Sequence, residues 1–222
     1  MYLVNTRKQS NHLKTKAVRA LSEAHYKAAK VGKPLNTFLT VAPARGSHAS
    51  KMSISPADYF AAFRNQIGVW VKRRTKKTAT YLWTVENRIG GGDEHMHMLL
   101  NLPPKLIPDL EVALARWCPG AAATHIRKDN GRGRQHPCGY RGSTLLYMSK
   151  QMLPSAMRSL SGWRPGTTFR QRVNRQKGGP FVGKRYGMSA DIKALPVGSV
   201  TQKCGVSLLK DGEQERGSPF LD

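Results

Sequence analysis

ATYLWTVENRIGGGDEHMHMLLNL, residues 79–102, reads as two strands, ATYLWTVE (79–86) and EHMHMLLNL (94–102), joined by the glycine-rich turn NRIGGGD. Side chains on a strand alternate between faces, so His95 and His97 project together while Met96, Met98 and Leu100 point the other way. A turn centred on Gly90-Gly91 sets Glu86 opposite His95 and Thr84 opposite His97, bringing two imidazoles and a carboxylate onto one face. A slip of one residue would send Glu86 to the other face, so the cluster depends on register. Two histidines and a carboxylate with open coordination positions make a workable divalent-metal site. An isolated His-x-His is more often a pair of surface histidines on the solvated side of a sheet, so the rest of the chain has to decide.

Upstream, LNTFLTVA (35–42) reads as a buried strand and ARGSHASKMS as a loop. Ser55-Pro56 supplies an N-cap with proline at the first helical position, and Asp58 lies in the first turn. Phe60, Phe63, Ile67, Trp70 and Val71 follow at helical spacing, which predicts a helix over 56–73 that runs out into KRRTKK. Downstream, Pro103-Pro104 stops the hairpin; Leu106, Leu110, Ala113, Leu114 and Trp117 form an amphipathic helix closed by Pro119-Gly120. AAATHIRK (121–128) is a weaker strand, and GSTLLYMSKQML (142–153) a short helix ahead of Pro154. The succession β-α-β-β-α-β-α is that of the split βαβ, ferredoxin-like arrangement with one helix added. The expected class is therefore α+β, a central antiparallel sheet with helices on one face.

Residues 12–30 carry Leu13, Ala17, Ala20, Leu21, Ala24 and Ala28 on a helical period among Lys14, Lys16, Arg19 and Lys27. This basic helix has a mostly alanine face, which offers little area for insertion into a membrane surface. The chain divides into a basic helical extension (1–33), a core (34–155), a basic glycine-rich extension of that core (156–193) and a loosely ordered tail (194–222), with no internal repeat.

Lys and Arg number 37 against 13 Asp and Glu, a net charge of +24, which points to a polyanionic partner. Between Asn130 and Ala190 there is no acidic residue. That stretch includes Arg132, Arg134, Arg141, Lys184 and Arg185, which join Arg73, Arg74, Lys76 and Lys77 as candidate phosphate contacts. Trp163, Phe169, Phe181 and Tyr186 interrupt it and suit packing or base stacking. The opening MYLVNTRKQS has no apolar signal region and no run is long enough to span a bilayer, so a soluble protein without membrane partners is expected. Cys118, Cys138 and Cys204 form no CxxC pair and read as free thiols of a reducing cytosol; His136-Pro-Cys138 lacks the second half of a zinc site.

Metal-assisted attack on a phosphodiester needs a nucleophile. Tyr147 lies on the helix after the last strand, with Lys150 a turn later on the same face. A phenol with a reference pKa of about 10 attacks poorly unless a metal and a cation stabilise its phenolate, a role open to Lys150. From LLYMSKQ alone, packing beside Leu145 and Leu146 explains Tyr147 equally; the competitor Tyr140 sits between Gly139 and Gly142 in a loop.

HMHMLL followed by a YxxK helix in LLYMSKQ resembles the HUH endonuclease superfamily, specifically the single-tyrosine rolling-circle replication initiators of bacterial plasmids and phages. TFLTVA (37–42) is similar to their first-strand motif, and GKRYGMS (183–189) to a segment downstream in bacterial members; the likeness covers roughly residues 35–190. It implies His95, His97 and Glu86 as ligands of Mg²⁺ or Mn²⁺, Tyr147 as nucleophile and Lys150 as its helper. The implied substrate is single-stranded or hairpin DNA at a replication origin, nicked through a 5′-phosphotyrosine intermediate in the bacterial cytoplasm. No GxxxxGK[ST] loop is present, so strand opening would fall to a host helicase. A relaxase or single-tyrosine transposase would share this chemistry. A non-catalytic RRM-like binder would instead need an RNP-type aromatic segment, and none is visible; a ribosomal or packaging protein would account for the charge but not for the histidine pair or Tyr147.

Overall fold

A computed structural model describes residues 9–46, 54–120, 122–128, 142–148, 151 and 178–195. Its strands are β1 (Gln9–Ser10), β2 (Thr37–Val41), β3 (Tyr81–Glu86), β4 (His95–Leu100), β5 (Thr124–Lys128), β6 (Phe181–Val182) and β7 (Tyr186–Met188). The helices are α1 (Thr15–Lys30), α2 (Pro56–Thr75), α3 (Ile107–Trp117), α4 (Gly142–Met148) and α5 (Ala190–Ala194). Strands β5-β2-β4-β3-β7 form a sheet in that order, each neighbour antiparallel. Without β7 this is the interleaved order of a split βαβ sheet, so the α+β class and the central antiparallel sheet are as the sequence suggests.

The β3–β4 hairpin sets the register. Gly90, Gly91 and Gly92 hold φ of 96°, 81° and 81°, where a Cβ would be strained, and this run turns the chain so that Glu86 pairs with His95 and Thr84 with His97. Helix α2 begins as its cap predicts: the Ser55 Oγ accepts the Asp58 N–H at 3.2 Å, worth about 1 kcal/mol, and Pro56 follows.

The expectation of helices on one face is corrected: both faces are covered. On one, α2 and α3 bring Phe60, Phe63, Ile67, Leu110 and Leu114 against Leu39, Trp83, Val85, Met96, Met98 and Leu100. On the other, α1 brings Leu21, Ala24 and Ala28, α4 brings Leu145 and Met148, and α5 brings Ile192 onto Phe38, Leu82 and Leu99. The reason is in the strands, because the histidine-bearing face is apolar at the end away from the turn, and leaving Phe38, Leu82 and Leu99 wet would forfeit about 1.5–3 kcal/mol each. The helix expected ahead of the core thus packs on it, and part of the basic glycine-rich stretch enters the sheet as β7. No helix among the described residues is long and apolar enough to cross a membrane.

Candidate metal centre

On the face carrying the histidines, pairing lines up rows across the sheet. Nearest the turn, Glu86 of β3 faces His95 of β4. The next row runs His125 (β5), Thr40 (β2), His97 (β4), Thr84 (β3) and Tyr186 (β7). The third runs Arg127, Phe38, Leu99, Leu82 and Met188, closing the polar end of the face with an apolar floor.

Glu86 Oε2 stands 3.1 Å from His95 Nε2 and 3.4 Å from His97 Nε2. The ligand atoms of the three residues all lie within 4.8 Å of one another. Glu86 and His97 are each 1% exposed, and His95 is partly buried. The far ring nitrogens are held in place. His95 Nδ1 lies 2.9 Å from the Asp93 carbonyl, and His97 Nδ1 lies 2.9 Å from Thr40 Oγ1. A carbonyl only accepts, so His95 Nδ1 carries a proton and, in the neutral ring, Nε2 turns a lone pair toward the Glu86 carboxylate. Facing lone pairs at that distance repel unless a proton or a cation lies between them. Two imidazole nitrogens oriented by outer hydrogen bonds, with a buried carboxylate, are a donor set that fits a divalent cation, so Glu86, His95 and His97 could hold a metal ion.

Tyr147 is brought to this cluster from α4. Its ring centroid is 5.2 Å from that of His97, at 62°, and 5.9 Å from that of Phe38, edge-on. The residue is 38% exposed. Helix α4 is tied to the sheet where its last turn ends. Thr84 Oγ1 donates to the Met148 carbonyl at 2.9 Å, and Gln151 Nε2 donates to the Asn87 carbonyl at 2.7 Å.

Lys150, Arg132, Arg134 and Arg141 lie outside the described residues. Arg73, Arg74, Lys76 and Lys77 are exposed, but at the end of α2 that leads into the start of β3, the opposite end of the strand from Glu86 and on the other face of the sheet. There the Arg74 guanidinium covers the Trp70 ring at 4.2 Å. Lys184 also lies away from the cluster, lining with Arg64, Asp58 and Val85 a cleft of about 190 Å³ on the α2 side.

Arg185 is a correction. Expected on a phosphate-binding surface, it is 4% exposed, with every guanidinium nitrogen donating internally. Nε bonds to the carbonyl and hydroxyl of Ser10, Nη1 to Gln151 Oε1 at 2.9 Å, and Nη2 to the Gly179 carbonyl. Burial pushes this guanidinium down to about 10, and the charge of Glu86 acts in the opposite direction.

Several residues of the site had no signal in the sequence. Thr40 faces His97 only once β2 pairs with β4, and Gln151 and Asp93 act through contacts far along the chain. Arg45, read as part of a loop, forms a two-pronged ion pair with Asp93 at 2.8 and 2.7 Å.

Comparison of the chain with protein-family models, with curated proteins and with solved structures found no match.

Proposed function

We propose that this protein is a metal-dependent DNA nicking and joining enzyme of the HUH type, acting as the initiator of rolling-circle replication. The observation that carries the reading is the Tyr147 ring against His97, within a cluster of two histidines and a buried glutamate on one sheet face. The net charge of +24 supplies the affinity for a single-stranded or hairpin DNA substrate.

In this reading Glu86, His95 and His97 hold Mg²⁺ or Mn²⁺, and Tyr147 is the nucleophile. A bound divalent cation supplies Lewis-acid polarisation of the scissile phosphate. The phenol of Tyr147 attacks phosphorus in line. The P–O3′ bond breaks, the phenolic proton passes to solvent, and the departing 3′-oxygen takes up a proton. The products are a 5′-phosphotyrosyl enzyme and a free 3′-hydroxyl, and reversal with a second 3′-hydroxyl rejoins ends. Lys150 is the cation assigned to the phenolate, and the outer hydrogen bonds of both imidazoles keep the ligands in place before substrate arrives. Strand opening is left to a helicase of the bacterial host.

The test is incubation of the wild type and Tyr147→Phe with labelled single-stranded oligonucleotides in Mn²⁺, with and without EDTA, on denaturing gels. A covalent protein–DNA adduct that requires both Tyr147 and metal is expected. Tight binding without an adduct, across a pool that includes the element's own origin, would sink the enzyme reading in favour of a non-catalytic nucleic-acid-binding protein.

A further inference from the structure

His95 is the ligand nearest the hairpin turn, and the turn is built from three consecutive glycines at positive φ. Such a segment has wide backbone freedom and cannot by itself hold the two residues before His95 in one place. Yet the hydrogen bond that fixes the His95 ring is made there, with His95 Nδ1–H donating to the Asp93 carbonyl at 2.9 Å. Asp93 is in turn gripped from outside the hairpin. The Arg45 guanidinium meets both of its carboxylate oxygens, at 2.8 and 2.7 Å, in the fork geometry that restricts orientation as well as distance. Arg45 is itself anchored by the short 3₁₀ turn Pro43–Arg45 directly after β2, where its N–H bonds to the Ala42 carbonyl at 3.0 Å. The next residue, Gly46, is packed so closely on the Pro119 carbonyl that an added Cβ would lie 2.9 Å from it.

Arg88 also reaches Asp93, at 2.7 Å, but it belongs to the same hairpin loop and its side chain is 71% exposed. It cannot tie the turn to the remainder of the fold. Arg45 reaches across 48 positions of chain and grips the Asp93 carboxylate from outside the hairpin; the turn is also tied at Asn87, which Gln151, Gly179 and Pro180 hold and which meets Glu94 at 3.2 Å, but none of these bonds touches Asp93.

We propose that Arg45 is a positioning residue of the metal centre: by clamping Asp93 it holds the carbonyl that orients His95, and so sets the affinity for the divalent cation. This rests on reading Glu86, His95 and His97 as ligands and is independent of whether the enzyme nicks DNA. Outer groups that orient a ligand histidine are worth about 10–100-fold in metal affinity.

The experiment is Mn²⁺ titration of the full chain, followed calorimetrically and by electron paramagnetic resonance, for the wild type, Arg45→Gln, Arg45→Lys and Arg88→Gln. Thermal melts are run alongside to verify folding. Arg45→Gln is expected to bind Mn²⁺ about 10–100-fold more weakly while still melting cooperatively. Arg45→Lys, which restores one of the two prongs, should recover part of the loss, and Arg88→Gln should stay within about twofold of wild type, as expected for an exposed pair. In the metal-free protein, long-range ¹H–¹⁵N spectra should show His95 as the Nδ1–H tautomer in the wild type and an average of tautomers in Arg45→Gln. A folded Arg45→Gln with wild-type Mn²⁺ affinity and an unchanged His95 tautomer overturns the proposal. A wild type that binds no Mn²⁺ overturns the metal centre and the proposal with it. A wild type that binds Mn²⁺ with the expected Arg45 dependence, but forms no DNA adduct, upholds the positioning role and rejects the nicking reaction.

Discussion

Replacing Gln151 by alanine should destabilise the protein and loosen Tyr147 together. The amide of Gln151 is 5% exposed and works like a strand partner for Asn87, accepting its N–H at 3.3 Å and donating to its carbonyl at 2.7 Å. The same oxygen accepts Arg185 Nη1 at 2.9 Å, and the Gln151 backbone carbonyl accepts the Leu13 N–H. On truncation the Asn87 carbonyl keeps its bond from the Gly179 N–H, so it is not orphaned. The Asn87 N–H is left buried without its acceptor, at about 1–3 kcal/mol, and the Arg185 guanidinium loses a charge-assisted bond of about 1.5–3 kcal/mol. Together these predict a loss of about 3 kcal/mol, which at about 2–4 °C per kcal/mol for a chain of this size lowers Tm by about 6–12 °C. Because Gln151 fastens the chain just beyond α4 to β3, the yield of covalent DNA adduct should also fall at temperatures where the variant is fully folded. The assay is a circular-dichroism melt paired with the adduct gel. A Tm within about 2 °C of wild type would refute the reasoning, since it would mean the amide bonds to water as well as to Asn87 and Arg185.

His97→Ala removes a ligand and the ring against which Tyr147 rests, so Mn²⁺ affinity measured by calorimetry should fall by more than the about 10–100-fold that losing an outer group costs. Gly187→Ala would bring a Cβ to 2.8 Å from the Trp83 indole; pushing β7 off β3 should cost about 1–3 kcal/mol, read as a lower Tm and altered tryptophan fluorescence. Burial pushes the Asp191 carboxyl up, but hydrogen bonds from Ser189, Thr80 and Lys33 outweigh it and hold the group below the ordinary carboxylate range. A carboxylate depressed in the folded state stabilises above its unfolded pKa of about 3.9, and the contribution is lost as pH falls through the folded value. Asp191→Asn should therefore be about 1–2 kcal/mol less stable at pH 7, with the gap closing in denaturant titrations below about pH 4.

Features of the fold that rest on short-range interactions are legible in the sequence, and those that rest on long-range ones are not. The hairpin was legible because a turn centred on Gly90-Gly91 fixes every cross-strand pair once its centre is known, Glu86 with His95 included. Helix α2 was legible because Ser55, Pro56 and Asp58 announce its start locally. The covering of the second face was not. Leu82 and Leu99 share a face with Glu86 and His97, and only the closed sheet shows that one end of that face is greasy enough to need α1, α4 and α5. Strand β7, at three residues, is too short to show a period. Charge patterning marked Arg185 as a surface cation because composition carries no information on burial, whereas Arg45 went unmarked because its partner lies 48 positions away.

In the proposed reaction Tyr147 forms a covalent bond to a 5′-phosphate. Digesting the Mn²⁺-dependent protein–DNA adduct with protease and nuclease, then locating the residual nucleotide by tandem mass spectrometry, tests it most directly. A nucleotide joined through its 5′-phosphate is expected on the peptide containing Tyr147, and none when EDTA is present. A nucleotide on Tyr140, or on any residue other than Tyr147, would contradict it.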